Sequence, residues 1–237
     1  MTYKLLSKRV LRVTNDPETF LNALTTNMLD KPKNAFLDRF GKCVAFFHQV
    51  KHQDAIYIVI ERTVKERLLH HLQNYLKLSK TKIEETPLKA IHCIGKNLPK
   101  GIAIPESYGI YILTEKLPDE KELSDEEYLK IRVENNIPLQ GIDFNHEMFL
   151  EINQIDAVSF TKGCYLGQEI IARVHSRGKP IKKLVRIVAD KQLAVITSEG
   201  EELGTVTSSC YSEKQGKYLH LAMIKGYEKR LDEGKAL

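Results

Sequence analysis

Apolar positions along the first third of the chain change period twice. In "NDPETFLNALTTNML", Phe20, Leu21, Leu24 and Met28 recur at helical spacing, with Asp16 placed to cap the helix and Pro17 at its first position. The stretches "AFLDRFGKCVAFFHQV" and "AIYIVIE" are aromatic and β-branched and read as paired strands turning at Gly41-Lys42. The helical period then returns. Val64, Leu68, Leu72, Tyr75 and Leu76 mark one face, with Thr63 and Glu66 forming a capping box. Further strands are expected at "TKIEET", "KAIHCI" and "YGIYILT". A charged connection follows, ending in a second box, Ser124 with Glu127, that opens a helix through "EEYLKIRVENN".

Beyond Pro180 the texture becomes short period-two segments, "KKLVRIVA", "LAVIT", "LGTVTSS" and "KYLHLAMIK", separated by Gly, Ser and charged turns. This predicts an α+β body over residues 1–178 and a small all-β, barrel-like domain over 179–237.

Composition narrows the class. The chain has 237 residues and four cysteines, Cys43, Cys93, Cys164 and Cys210, with neither a CxxC pair nor a Cys/His cluster at zinc spacing. A disulfide framework and a structural zinc are therefore not expected. No run reaches the roughly 18 apolar residues of a membrane span, and "MTYKLLSKRVLRVTND" lacks a secretory apolar core, so a cytoplasmic, reduced protein is expected. The net charge of +5 is mostly interspersed with acids. Its one concentration, Arg177, Lys179, Lys182, Lys183 and Arg186, lacks an interleaved aromatic and reads first as a solvated strand edge, with an anionic tail or tRNA as the other reading. The eight histidines are scattered, and the His70-His71 pair reads as part of a helix surface.

The stretch that carries chemistry is "KGCYLGQE", Lys162 to Glu169. Lys162, Arg173 and a nearby helix start would each favour the thiolate of Cys164. Gly163 and Gly167 permit a tight backbone or close ligand approach, and Gln168 and Glu169 can fix a polar ligand or position the Lys162 ammonium. On residue chemistry alone, a turn with a small packed cysteine is an equal reading.

The full pattern Lys-Gly-Cys-Tyr-x-Gly-Gln-Glu-x-x-x-Arg, Lys162 to Arg173, resembles the signature of the YgfZ family of folate-binding proteins, relatives of the glycine-cleavage T-protein. The likeness extends to "DPETFLNALTTNML", "NAFLDRFGKCVAFF", "IRVENNIP" and the β-rich tail. It implies interlocked α+β subdomains around a tetrahydrofolate cavity, with a C-terminal β-barrel. It also implies a role in making or maintaining iron–sulfur enzymes, including those that modify tRNA, with iron–sulfur assembly or client proteins as partners. The resemblance points to Cys164 as the reactive thiol and to Glu134, Arg132, Lys162, Tyr165, Gln168, Glu169 and Arg173 as the cofactor-binding set. Asn136 stands where the family usually has Gly. After the hairpin turn the chain reads Gly41-Lys42-Cys43-Val44-Ala45-Phe46, where true T-proteins resemble Gly-Gly-Ile-Ile-Asp-Asp with an aspartate that assists aminomethyl transfer. A glycine-cleavage-type aminomethyltransferase is therefore the alternative expectation.

Overall fold

The computed structural model describes residues 1–198 and 200–227, apart from the side chain of Arg177. Chain order is β1 (Thr2–Leu5), β2 (Lys8–Thr14), α1 (Pro17–Leu24), β3 (Lys33–Leu37), β4 (Cys43–His52), β5 (Ala55–Glu61) and α2 (Lys65–Lys77). There follow β6 (Lys82–Glu85), β7 (Lys89–Ile94), β8 (Ile102–Pro105), β9 (Ile110–Thr114), β10 (Lys121–Glu122), α3 (Asp125–Glu134) and α4 (Gln168–Arg177). The tail carries β11 (Lys182–Ala189), β12 (Val195–Ser198), β13 (Glu201–Ser212) and β14 (Lys217–Lys225). This is a mixed α+β architecture of three sheets, ordered β10-β1-β7-β9-β8, β3-β4-β5-β2-β6 and β11-β14-β13-β12. No helix among the described residues is long and apolar enough to cross a membrane.

Alternation along the β3–β4 hairpin explains how the body is layered. Phe36 and Phe47 stack at 5.0 Å and join Phe20, Leu21, Leu68 and Leu72, so α1 and α2 cover that face of the sheet. Ala35, Leu37 and Phe46 point the other way, into a core shared with Phe149, Ile171 and the tail residues Leu184, Leu219 and Leu221. A third cluster, including Val10, Val59, Tyr111 and Tyr128, fills the space between the two five-stranded sheets and α3.

Several helix signals work differently from the sequence expectation. Asp16 adopts a left-handed conformation (φ 65°) and makes no side-chain cap bond. α1 ends at Leu24, which leaves Met28 outside it and 44% exposed. Thr63 and Glu66 form no box, because a 3-10 turn at Arg62–Val64 intervenes and α2 starts only at Lys65, without a side-chain cap. On α2, Leu68 and Leu72 are buried while Tyr75 is turned to solvent. The Ser124–Glu127 box is present in both directions.

The expected barrel-like tail is all-β, but no closed barrel is found: among the described residues it is an open four-stranded antiparallel sheet with β11 and β12 at its edges. Its apolar residues are divided between two faces. Leu219 and Leu221 pack on the body, whereas Val185, Ala222 and Ile224 face a separate small core with Ile196 and Leu203. Closure around a single interior would require one inward set.

Candidate functional site

The Lys162–Glu169 segment is held from two directions. On one side it and the residues just before it are stitched to α1 and the loop that follows: Ser159 N donates to Thr26 O (2.9 Å), Thr26 Oγ1 to Ala157 O (2.6 Å), Asn27 Nδ2 to Asp156 O (2.8 Å) and Leu166 N to Ala23 O (3.3 Å). Asn34, fully buried on β3, props this loop by accepting from Asn27 N at 2.7 Å and donating to Asn27 O at 3.1 Å. The polar run Thr25–Asn27 therefore leaves the helix because its hydroxyls and amides organise this junction.

On the other side the segment meets the β3–β4 turn. Gly167 (φ 84°) leads into α4, and a Cβ there would lie 2.6 Å from Asp38 O and 3.2 Å from Leu37 Cβ. Its close approach is thus to the protein's own backbone. Gly163 differs, since a Cβ at that position would meet nothing within 4 Å. The backbone at Gly163 borders open space.

Between the glycines, Cys164 is exposed and Tyr165 is buried, with burial raising the phenol's pKa to about 12. Lys162 Nζ turns inward and donates to Thr25 O (2.7 Å) and Asn27 O (2.9 Å), 5.5 Å from the centre of the Tyr165 ring. Burial lowers its pKa to about 8. Gln168 Oε1 accepts from Tyr165 N at 3.1 Å, closing the turn before α4. Glu169 and Arg173 pair with each other at 2.8 Å on the exposed face of α4. The two cations expected beside Cys164 are therefore engaged with backbone carbonyls and with Glu169. What distinguishes Cys164 is exposure: Cys43, Cys93 and Cys210 are buried, and burial raises each thiol's pKa, to about 11 for Cys93.

Glu134 and Arg132 lie at the end of α3 toward the tail. Glu134 Oε1 accepts from Ser212 Oγ at 2.8 Å, and its carbonyl accepts from Arg186. Arg132 is buried in an ion pair with Asp143 at 2.7 Å and also reaches Ser208. Asn136 is left-handed (φ 54°), a conformation that Asn tolerates, so the backbone path survives without glycine. Of the basic stretch, Lys182 lies 3.7 Å from Glu147 and Lys183 Nζ 5.8 Å from the centre of the Tyr227 ring.

Sequence reasoning missed a buried charged chain beside this junction. Lys33 Nζ bridges Asp156 (3.1 Å) and Glu106 (2.8 Å), and Glu106 Oε2 accepts from His48 Nε2 at 2.6 Å. Burial lowers the pKa of His48 despite the adjacent carboxylate. Burial alone would raise that of Glu106, yet His48 and Lys33 hold it far below the carboxylate range. Polar residues inside apolar strand patterns, "KNAF" and "FFHQV", were the available signal. Among the described residues no group of three or more His, Cys, Asp or Glu side chains is placed to hold a metal ion.

Comparison with known proteins places this geometry in a fold. The structure of the glycine cleavage system aminomethyltransferase T from Bartonella henselae superposes with a TM-score of 0.76 over 95% of this chain and 78% of that chain, at 11% identity. The chain has the aminomethyltransferase T fold. A Haemophilus influenzae protein, itself uncharacterized, is 28% identical over 198 residues, covering 74% of this chain and 69% of its own length. No protein-family model matches the chain. At Ala45 and Phe46, where T-proteins are expected to carry acids, the side chains are buried, Phe46 with its ring edge toward Phe144.

Proposed function

We propose that the chain is a reduced-folate-binding protein of the YgfZ type, acting in the assembly or repair of iron–sulfur clusters and through them in tRNA modification. The observation that carries this reading is the complete Lys162–Arg173 signature at the start of α4 in a chain with this fold, with Cys164 and Gly163 open and Lys162 drawn inward. Cys164 is the reactive thiol. Lys162, Tyr165 and Glu134 are the groups offered to a tetrahydrofolate, an amine, a ring and a carboxylate suited to a pterin's polar edge and flat face. Gln168 supports that set by fixing the turn at Tyr165, Arg132 anchors the end of α3 that carries Glu134, and Glu169 and Arg173 complete the signature as an exposed pair on α4. One thiolate cannot hold a cluster alone, so any cluster contact needs ligands from a partner protein.

The aminomethyltransferase reading is favoured by the structural neighbour's name and opposed by Ala45 and Phe46, which leave no carboxylate at those positions to steer a proton. Equilibrium titration with reduced folates separates the parts. Wild type and Cys164→Ser are expected to bind alike, whereas Glu134→Ala weakens binding by about 1.5–3 kcal/mol, the scale of a hydrogen bond to a charged group. Cellular iron–sulfur enzyme activity is lost in Cys164→Ser. Absence of reduced-folate binding by the folded wild type overturns the reading, and turnover of an aminomethylated lipoyl carrier replaces it with the alternative.

A further inference from the structure

We infer that Lys162 is a nucleophilic amine that condenses with a small aldehyde to form an imine. The argument begins with its partners. An ammonium carries three N–H donors and is usually matched by a carboxylate when drawn into a protein; a neutral amine carries two donors and one lone pair. Lys162 Nζ has two oxygen acceptors, the carbonyls of Thr25 and Asn27, at 2.7 and 2.9 Å, and no acidic partner among the described residues. This matches the neutral form donor for donor and leaves the lone pair uncommitted.

The surroundings favour the same form. Lys162 is half-buried, and removal from water disfavours the ammonium, which brings its pKa to about 8. The Tyr165 ring, 5.5 Å away, gives the cation only weak compensation. The carbonyls that hold the amine belong to the buried Thr25 and Asn27, so the nitrogen is fixed rather than swinging in solvent. A small reagent can reach it, because Lys162 is only half-buried and the residues that follow it, Gly163 and Cys164, are exposed. An amine with a free lone pair near neutral pH is the group that attacks a carbonyl carbon. Held by two carbonyls and half-buried, the amine is reached most readily by a small, unhindered aldehyde.

In the step, the Nζ lone pair bonds to the aldehyde carbon and the C=O π pair moves to oxygen, which takes up the proton released by nitrogen. The carbinolamine then expels water as the nitrogen lone pair forms C=N. Amine and aldehyde give imine and water, with no oxidant or reductant. The inference goes beyond folate binding and does not depend on it.

The test uses the full chain with isotopically labelled formaldehyde and sodium cyanoborohydride, which reduces the imine to a stable methylamine, followed by peptide mapping across pH 6–11. At pH 8 an amine of pKa about 8 is half neutral, on the order of 100-fold more than an ordinary lysine. The Lys162 peptide should therefore label first, with a rate midpoint near pH 8, ahead of the peptides that carry exposed lysines such as Lys77 and Lys96. Lys162→Arg, which keeps the charge, removes that adduct alone. Failure of Lys162 to label, or a midpoint shared with the exposed lysines, overturns the inference. Reduced-folate binding measured on the same preparation judges the proposed function separately, since either result can fail while the other holds.

Discussion

Replacing Arg132 with Met tests whether this arginine holds the fold or the ligand. Its guanidinium and the Asp143 carboxylate have side-chain exposures of 6% and 0%. The carboxylate accepts from Arg132 (2.7 Å), Leu139 N (2.8 Å), Thr207 Oγ1 (2.8 Å) and Ser208 Oγ (2.6 Å), so the pair ties α3 to β13 and to the Leu139–Asp143 turn. Removing one partner of a buried ion pair costs about 3–5 kcal/mol, because the other charge is left in low dielectric. Three donors remain on Asp143, which places Arg132→Met near the lower end, about 3 kcal/mol. In a chain of this size that lowers Tm by roughly 6–12 °C. Urea unfolding followed by circular dichroism measures the loss. A double variant, Arg132→Met with Asp143→Leu, should recover part of it by removing the stranded carboxylate. Stability of Arg132→Met within about 0.5 kcal/mol of wild type would refute the reasoning. Weakened folate binding at unchanged stability would make Arg132 a ligand group instead.

Three further outcomes are expected. Gly167→Ala should destabilise by at least about 2 kcal/mol in urea titration, since it combines a left-handed backbone at φ 84° with a Cβ 2.6 Å from Asp38 O, whereas Gly163→Ala should change stability little. Iodoacetamide on the native protein should alkylate Cys164 before the buried Cys43, Cys93 and Cys210; prior labelling of any of these in a peptide map would contradict the exposure argument. Burial penalises the Lys162 ammonium only in the folded state, so the penalty is complete below pH 8, where both states are protonated, and fades between pH 8 and 10.5, where the unfolded chain holds the extra proton. Wild-type stability relative to Lys162→Met should accordingly rise across that window, by about 1–2 kcal/mol after screening of a partly exposed amine, and a flat difference would contradict the assignment.

Much of the body was legible because local pattern and burial agree. Phe20, Leu21 and Leu24 face the core as their helical spacing requires, and the Ser124–Glu127 box forms in full. Signals that depended on one cap residue were weaker: Asp16 and Thr63 are cap residues by type, but a left-handed turn and a 3-10 turn determine the backbone there. The signature located the candidate site, yet spacing along the chain misjudged its electrostatics. Lys162 and Arg173 lie close to Cys164 in sequence, but tertiary packing sends the Lys162 head group to Thr25 and Asn27, and Arg173 pairs with Glu169 one turn away on the same helix. The Lys33–Glu106–His48 chain was hidden for the same reason, being assembled from β3, β4 and the loop after β8. Barrel closure is not found among the described residues, and period-two alternation could not have decided it, because it marks a strand's two faces without saying that Leu219 and Leu221 would pack on the body.

The carbonyls that receive Lys162 belong to residues 137 and 135 positions earlier in the chain. During synthesis, the first two sheets can therefore emerge from the ribosome and pair while the amine's anchor points are still bare. The amine is held only when the segment through α4 returns to the loop after α1, so a nascent chain halted before that point is folded in part and still lacks the site.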